Sequence, residues 1–308
     1  MPQHIRPDAL LALAGPVITI VRIERLGDIV ACEPVIRHAK KTCPDHKIAW
    51  IAREQHFEAL AGHPLLDYLV STRHLAEATE IASRMAARQP VINLHFHNSV
   101  CPVTRQCIPN GNDARIISRN YYHWGSLLEA FSLCARLPRL SDAPEFHILP
   151  ETPVPPLPER YVAFHCLANE QDRNWNTKSW KKLLYFFFSR GMPVIELGFA
   201  PLLASSNVLY HDMTRVHSLQ AIAKILSAAS FFFGVDSAFA HMANALRVNG
   251  LVIMGKYREF TRHVPYTGKY GSGHIVRCCD APASAVSHED VIRQYCAMQD
   301  ARSGAVSL

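Results

Sequence analysis

The sequence predicts an α/β protein made of two doubly wound halves, each a parallel sheet with helices on its faces. Three observations predict this. Short β-branched or aromatic runs alternate with helix-sized stretches along the chain, which is the pattern of right-handed βαβ units. Five prolines in the twelve residues "LPETPVPPLPER", 149 to 160, interrupt the alternation near the middle. The length, 308 residues, suits two domains at roughly 150 residues each. The expected domains are 1–150 and 151–308, with the last helix free to pack back on the first.

In the first half, "PVITIVRI" (16–23) reads as a strand and "IVACEPVIRHAKKTC" (29–43) as a helix. "KIAWIAR" (47–53) is a second strand, followed by a helix through Phe57 to Leu60. "YLVST" (68–72), "VINLH" (91–95) and "RIISR" (115–119) read as further strands, with helical patterns between them. The proline-rich stretch can continue neither a helix nor a central strand and reads as a stiff, extended linker. In the second half, "YVAFHC" (161–166) is a strand and "TKSWKKLLYFFFSRG" (177–191) a helix closed by Gly191. "PVIELG" (193–198) is a strand, and "SLQAIAKILSAAS" (218–230) a helix with Ser218 as N-cap. "FFFGVDS" (231–237), "AFAHMANAL" (238–246) and "GLVIMG" (250–255) give strand, helix and strand, and a last helix lies near 287–301.

Hydrophobic residues make up 49% of the chain and charged residues 19%, enough apolar material for two cores. The net charge of +6 favours anionic partners. The basic residues are dispersed and no nucleic-acid module is present, so nucleic acid is not expected. Nine cysteines, an odd number without a CxxC, and no secretory signal imply a reduced, cytoplasmic protein. Contact with a membrane surface is compatible with this. Cys278, Cys279 and Cys296 match no common zinc spacing and read as buried thiols.

Three strand–loop–helix turns carry polar residues. Asp28, in "VRIERLGDIV", follows the first strand and is either a helix cap or a functional carboxylate that accepts a proton from a hydroxyl. Arg22 and Arg25 flank it, placed to hold it ionised or to receive an anion. Arg173 and Lys178, in "NEQDRNWNTKSW", form either an anion site or a solvated basic loop, with Trp175 and Trp180 as packing anchors. Asp236 and Ser237, in "FFFGVDSAFAHMANAL", are either caps or part of an anion site at a helix N-terminus. His241 on that helix reads first as a plain polar residue. No GxGxxG follows a strand, no P-loop occurs, and no Asp-x-Asp pair offers a metal cage for a nucleotide diphosphate.

Taken in order, "RLGDIVACEPVIRHAKKTCPDHKIAWI", "HPLLDYLV", "DRNWNTKSWKKLL", "GVDSAFAHMANAL" and "MGKYREFTRHVP" resemble glycosyltransferase family 9, the ADP-heptose lipopolysaccharide heptosyltransferases, over residues 16 to 270. The resemblance implies a GT-B fold, two Rossmann-like domains facing across a cleft. It implies an inverting, metal-independent transfer of heptose from ADP-heptose to a hydroxyl of a bacterial surface glycan such as the lipopolysaccharide core. It makes Asp28 the general base and puts Arg173, Lys178, Asp236, Ser237, Ala238 and His241 around the nucleotide-sugar donor, with no metal and no cofactor. The partners it implies are that donor and a lipid-linked or glycan acceptor at the cytoplasmic face of the inner membrane. Three positions depart from the family. Ala238 stands where glycine is usual, "HCLAN" replaces a His-Pro-Gly type of loop, and Glu24 stands where a small polar residue is common. Two alternatives follow: a transferase of the same fold using another nucleotide sugar, or a non-catalytic nucleotide-sugar-binding protein.

Overall fold

The computed structural model of the protein describes residues 1–305, so the last three residues of the expected second domain, 306–308, lie outside the described residues. The chain divides into two compact units: Met1–Glu151 with His263–Gly268, and Thr152–Arg262 with Lys269–Leu308. Residues 152–158 of the proline-rich stretch form neither helix nor strand.

The first unit runs β1 (Gln3–Ile5), α1 (Pro7–Leu11), β2 (Val17–Val21), α2 (Leu26–Ala31), α3 (Pro34–Thr42), β3 (Lys47–Ala52), β4 (Tyr68–Ser71), α4 (Leu75–Ala86), β5 (Val91–Asn93), β6 (Ser99–Val100), β7 (Cys107–Ile108) and α5 (Leu127–Cys134). Its main sheet is parallel, in the order β1-β4-β3-β2-β5. Every residue of β2 is buried, as expected for a strand covered on both faces. β3 and β4 extend from one side of β2 while β5 lies on the other, so the strand order reverses at β2.

Three expectations need correction here. The helix expected over 29–43 is two helices, because Pro34 lacks an N–H and its ring would strike the carbonyl of Val30 in a continuous helix. Cys32 therefore ends α2, and Pro34 opens α3. The strand expected over 115–119 does not form. Asp113 Oδ1 accepts from the Arg115 N–H at 2.9 Å, Asn120 Oδ1 from the Ile117 N–H at 3.0 Å, and Asn120 Nδ2 donates to the Arg115 carbonyl at 2.8 Å. These local bonds satisfy the backbone groups a strand would have paired. The helix expected near Phe57 is a 3₁₀ turn, Glu54–Ala59.

The second unit runs β8 (Val162–His165), α6 (Thr177–Phe188), β9 (Val194–Leu197), β10 (Tyr210–Asp212), α7 (Leu219–Ala228), β11 (Phe231–Val235), α8 (Ala238–Ala245), β12 (Gly250–Met254), β13 (Ile275–Arg277) and α9 (His288–Ala305). The sheet is again parallel, in the order β10-β9-β8-β11-β12-β13, and reverses between β8 and β11. Its core is aromatic: Phe164, Phe187, Phe231 and Phe233 are each at most 1% exposed. Tyr295 of α9 closes it, with its ring 5.0 Å from Phe231 and 5.2 Å from Phe187. The last helix therefore packs on the second unit's own sheet. Asn176 caps α6 and Ser218 caps α7, each accepting from the N–H of the third helical residue. No helix among the described residues is long and apolar enough to cross a membrane.

Candidate functional site

In open α/β sheets the crevice for a ligand lies beyond the carboxyl ends of the strands where the order reverses. In the first unit that place is the end of β2 beside β5. The chain leaves β2 through Arg22 and Ile23, and Arg25 turns it into α2 with φ 63° and ψ 96°. A left-handed backbone at a non-glycine residue is costly and tends to persist at functional turns. Asp28 then falls at the third position of α2 and makes no cap; the N-cap position is Arg25. The carboxylate Oδ2 instead accepts from Arg22 Nη2, with the two side chains 13% and 7% exposed. No further bond to Asp28's side chain forms among the described residues, which leaves Oδ1 open.

Arg22 is held from several sides. Its guanidinium lies 4.4 Å from the centre of the Phe131 ring, which stacks on Phe96 at 4.5 Å. Nη1 donates to the Leu94 carbonyl at 3.3 Å, and the Arg22 carbonyl accepts from Trp50 Nε1 at 3.0 Å. His95 accepts from the Ile23 N–H through Nε2 at 3.3 Å, and burial beside Arg22 keeps its pKa well below the usual histidine value. Cys32 lies close by, its thiol pushed up by burial. A buried ion pair so supported fixes its members in place, and removing one leaves an uncompensated charge at a cost of about 3–5 kcal/mol. Arg25 is exposed, and half-buried Glu24 makes no hydrogen bond or ion pair among the described residues.

In the second unit the reversal lies between β8 and β11. β11 ends in Val235, Asp236 is 4% exposed, and Ser237 stands at the N-cap of α8. Among the described residues Ser237 makes no capping bond, and its buried Oγ has no hydrogen-bond partner. The first-turn N–H groups of α8 are thus left uncapped by its side chain, unlike those of α6 and α7. Arg173 ends a 3₁₀ turn after β8, Gln171–Arg173. Its Nη1 lies 3.3 Å from Asp236 Oδ2 and its Nε 3.5 Å from Glu170 Oε2, and its guanidinium lies 4.1 Å from the centre of the Tyr257 ring. The Tyr257 hydroxyl donates to Glu170 Oε1 at 3.4 Å. A guanidinium has five donors, so Arg173 can serve Asp236 and an anion together. Ala238 is the first helical residue and His241, 4% exposed, the fourth. Arg173, Asp236 and Ser237 are thus brought together around the start of α8. Lys178 stands exposed in the first turn of α6, without an ion pair among the described residues. Trp175 and Trp180 are packing residues, 4.9 Å apart edge to face. Behind the site, His165 stacks on Phe239 at 3.9 Å and 7°, and burial pushes its pKa down to about 4. The Arg22 anchorage, Tyr257 and the His165–Phe239 stack carry no motif in the sequence, since each pairs residues far apart in the chain.

A third cluster resembles a metal site. Ligand atoms of Glu33, His63 and His147 lie within 4.8 Å of one another. The donors do not suit a metal. Glu33 accepts from Arg37 Nε, Arg37 Nη2, His63 Nε2 and the Glu145 N–H. The Leu65 N–H donates to His63 Nδ1 at 3.2 Å, so Nε2 carries the proton, where a ligand nitrogen must be bare. The cluster is a buried clamp from α3 to residues 145–147. Cys278, Cys279 and Cys296 are half-buried free thiols rather than fully buried ones.

No protein-family model matches the sequence. No curated protein matches it either. Solved structures share its fold. An E. coli ADP-heptose lipopolysaccharide heptosyltransferase II superposes with a TM-score of 0.68 at 14% identity, over 92% of this chain and 99% of the other. A family 9 glycosyl transferase from Veillonella parvula DSM 2008 gives 0.66 at 13% identity, over 91% and 95%. E. coli heptosyltransferase WaaC with ADP-2-deoxy-2-fluoro heptose gives 0.62 at 15% identity, over 92% and 99%. At these identities the likeness establishes the fold: two α/β units of GT-B type.

Proposed function

We propose that this chain, which has the fold of family 9 glycosyltransferases, is an inverting transferase that moves heptose from ADP-heptose to a hydroxyl of a bacterial surface glycan such as the lipopolysaccharide core. The observation that supports this most is the content of the two switch points. One holds a positioned carboxylate with a free oxygen, and the other an uncapped helix N-terminus beside an arginine. The fold neighbour holding an ADP-heptose analogue supports the donor.

On this reading Asp28 Oδ1 takes the proton of the acceptor hydroxyl as its oxygen bonds to the anomeric carbon. The carbon–oxygen bond to the diphosphate breaks on the opposite face, which inverts the centre. The nucleoside diphosphate leaves with its growing charge met by Arg173, the Ser237 hydroxyl and the first N–H groups of α8. These groups supply the charge stabilisation without a metal, so transfer should persist in EDTA. A lipid-linked acceptor would bring the protein to the cytoplasmic face of the inner membrane.

The test is a donor panel with ADP-heptose included, read by mass spectrometry of the transferred sugar. Asp28→Asn keeps an acceptor for Arg22 and should lower kcat by ~10²–10⁴-fold with ADP binding intact. Full turnover would remove the base. Arg173→Ala should weaken ADP by roughly 10–100-fold, the worth of one charged hydrogen bond. The Arg173–Asp236 pair and the Ala238 methyl favour a second reading, a nucleotide-sugar binder without catalysis. It predicts binding but no transfer for every donor in the same panel.

A further inference from the structure

We propose that Tyr257 is a positioning residue that sets Arg173 for a diphosphate, and so governs how tightly the second unit holds one. This rests on reading the start of α8 as the diphosphate site. Three neighbouring strands of the second sheet supply the parts. β11 lies between β8 and β12, with Gly234 opposite His165 on one side and Val235 opposite Ile253 on the other. Arg173 follows β8, Asp236 follows β11 and Tyr257 follows β12. The Arg173 guanidinium lies 4.1 Å from the centre of the Tyr257 ring. Glu170 closes the triangle: its Oε2 is 3.5 Å from Arg173 Nε, and its Oε1 accepts from the Tyr257 hydroxyl at 3.4 Å.

Arg173 ends a 3₁₀ turn of only three residues, and a long arginine side chain has many rotamers to lose. Its carboxylate neighbours, Asp236 and Glu170, attract it but also repel an incoming anion. The Tyr257 ring attracts the guanidinium through the negative face of its π system and brings no net charge. The N–H donors of a guanidinium lie in its own plane, so a ring on its face takes none of them from a ligand. Tyr257 is itself firmly placed. It is 4% exposed and pairs with Phe260 through two backbone bonds of 2.9 Å. The Lys256 N–H just before it donates to the Ala281 carbonyl at 2.8 Å. The hydroxyl bond to Glu170 is long and therefore the weaker tie, which leaves the ring as the main one. Exposed Arg258 lies farther away, 5.0 Å from the same ring centre.

The experiment is calorimetric titration of the full chain with ADP and with inorganic pyrophosphate. Tyr257→Met replaces the ring by a flexible apolar chain and should weaken ADP by roughly 3–30-fold, the range for a cation–π contact partly withdrawn from water. Pyrophosphate should weaken by the same factor, since Arg173 serves the phosphates and not the base. Tyr257→Phe keeps the ring and should lose no more than about threefold, the worth of one weak hydrogen bond. Phenylalanine with one or three ring fluorines at position 257 nearly keeps the shape while draining the negative face, so ADP affinity should fall stepwise with fluorine count. With Arg173→Ala in place, the same changes should each move ADP by less than about twofold. Thermal unfolding checks that the variants fold, and the fluorinated series decides if Tyr257→Met does not. A flat fluorine series, or losses as large without Arg173 as with it, would overturn the positioning role and leave the diphosphate site standing. Arg173→Ala that binds ADP and pyrophosphate as tightly as wild type would overturn the diphosphate site as well.

Discussion

Two arginines three positions apart, Arg22 and Arg25, do different work at the end of β2. Arg22 is spent on Asp28 and pinned by Phe131. Arg25 is exposed and pays in backbone conformation, with φ 63°. Left-handed strain at a non-glycine residue is worth ~1–3 kcal/mol, and glycine relieves it. Arg25→Gly should therefore be more stable than Arg25→Ala by about 1 kcal/mol in urea unfolding, although both lose the same side chain. Equal midpoints would mean no strain is held there. This residue also marks how far the sequence could be read. The motif named Asp28, but cap and functional carboxylate differ by the register of one helical turn. The observed N-cap at Arg25 removes the capping role and no more. Arg22 was visible as a flanking charge, whereas its anchorage needed Leu94 and Phe131, distant in the chain and close only in the fold.

Among the elements, the buried parallel strands were the most legible, because apolar runs bounded by turn residues have few other uses. The short pieces were not. β6 and β7, with two residues each, are below any periodic signal, and 115–119 looked like a strand until its side chains took up its backbone bonds. Close packing after strands is equally silent in the sequence. Gly255 follows β12, and a Cβ there would lie 2.1 Å from the Ala283 nitrogen and 2.3 Å from the Pro282 carbonyl carbon. Both obstacles are backbone and cannot swing aside. Gly255→Ala should cost about 3 kcal/mol, at the upper end of ordinary overpacking, seen as a lowered urea midpoint with an unchanged slope. A midpoint equal to wild type would mean the two segments are free to separate.

At the scale of the molecule, acid should unfold the chain earlier than its net charge alone suggests. His165 has an ordinary pKa of 6.5, and burial pushes it down to about 4 in the fold. A histidine depressed in this way adds stability above pH 6.5 that is lost as pH falls towards 4, about 3 kcal/mol in all. Burial pushes Glu33 up, but bonds from His63 and Arg37 outweigh it and hold the carboxyl below its ordinary value. Its contribution is lost at still lower pH. His165→Asn should flatten the fall in stability between pH 6.5 and 4, and an unchanged acid limb would show that His165 does not carry it. The first unit also has a consequence in time. Its segment His263–Gly268 is made long after Glu151, yet the Leu127 N–H at the start of α5 donates to the Pro265 carbonyl at 3.1 Å, and Thr267 Oγ1 to the Asp142 carbonyl at 2.8 Å. A ribosome adding ~5–20 residues per second needs on the order of 10 s to get from one to the other. During that interval the nascent first unit waits incomplete while the chain of the second emerges, and a gene truncated after residue 151 would leave it permanently so.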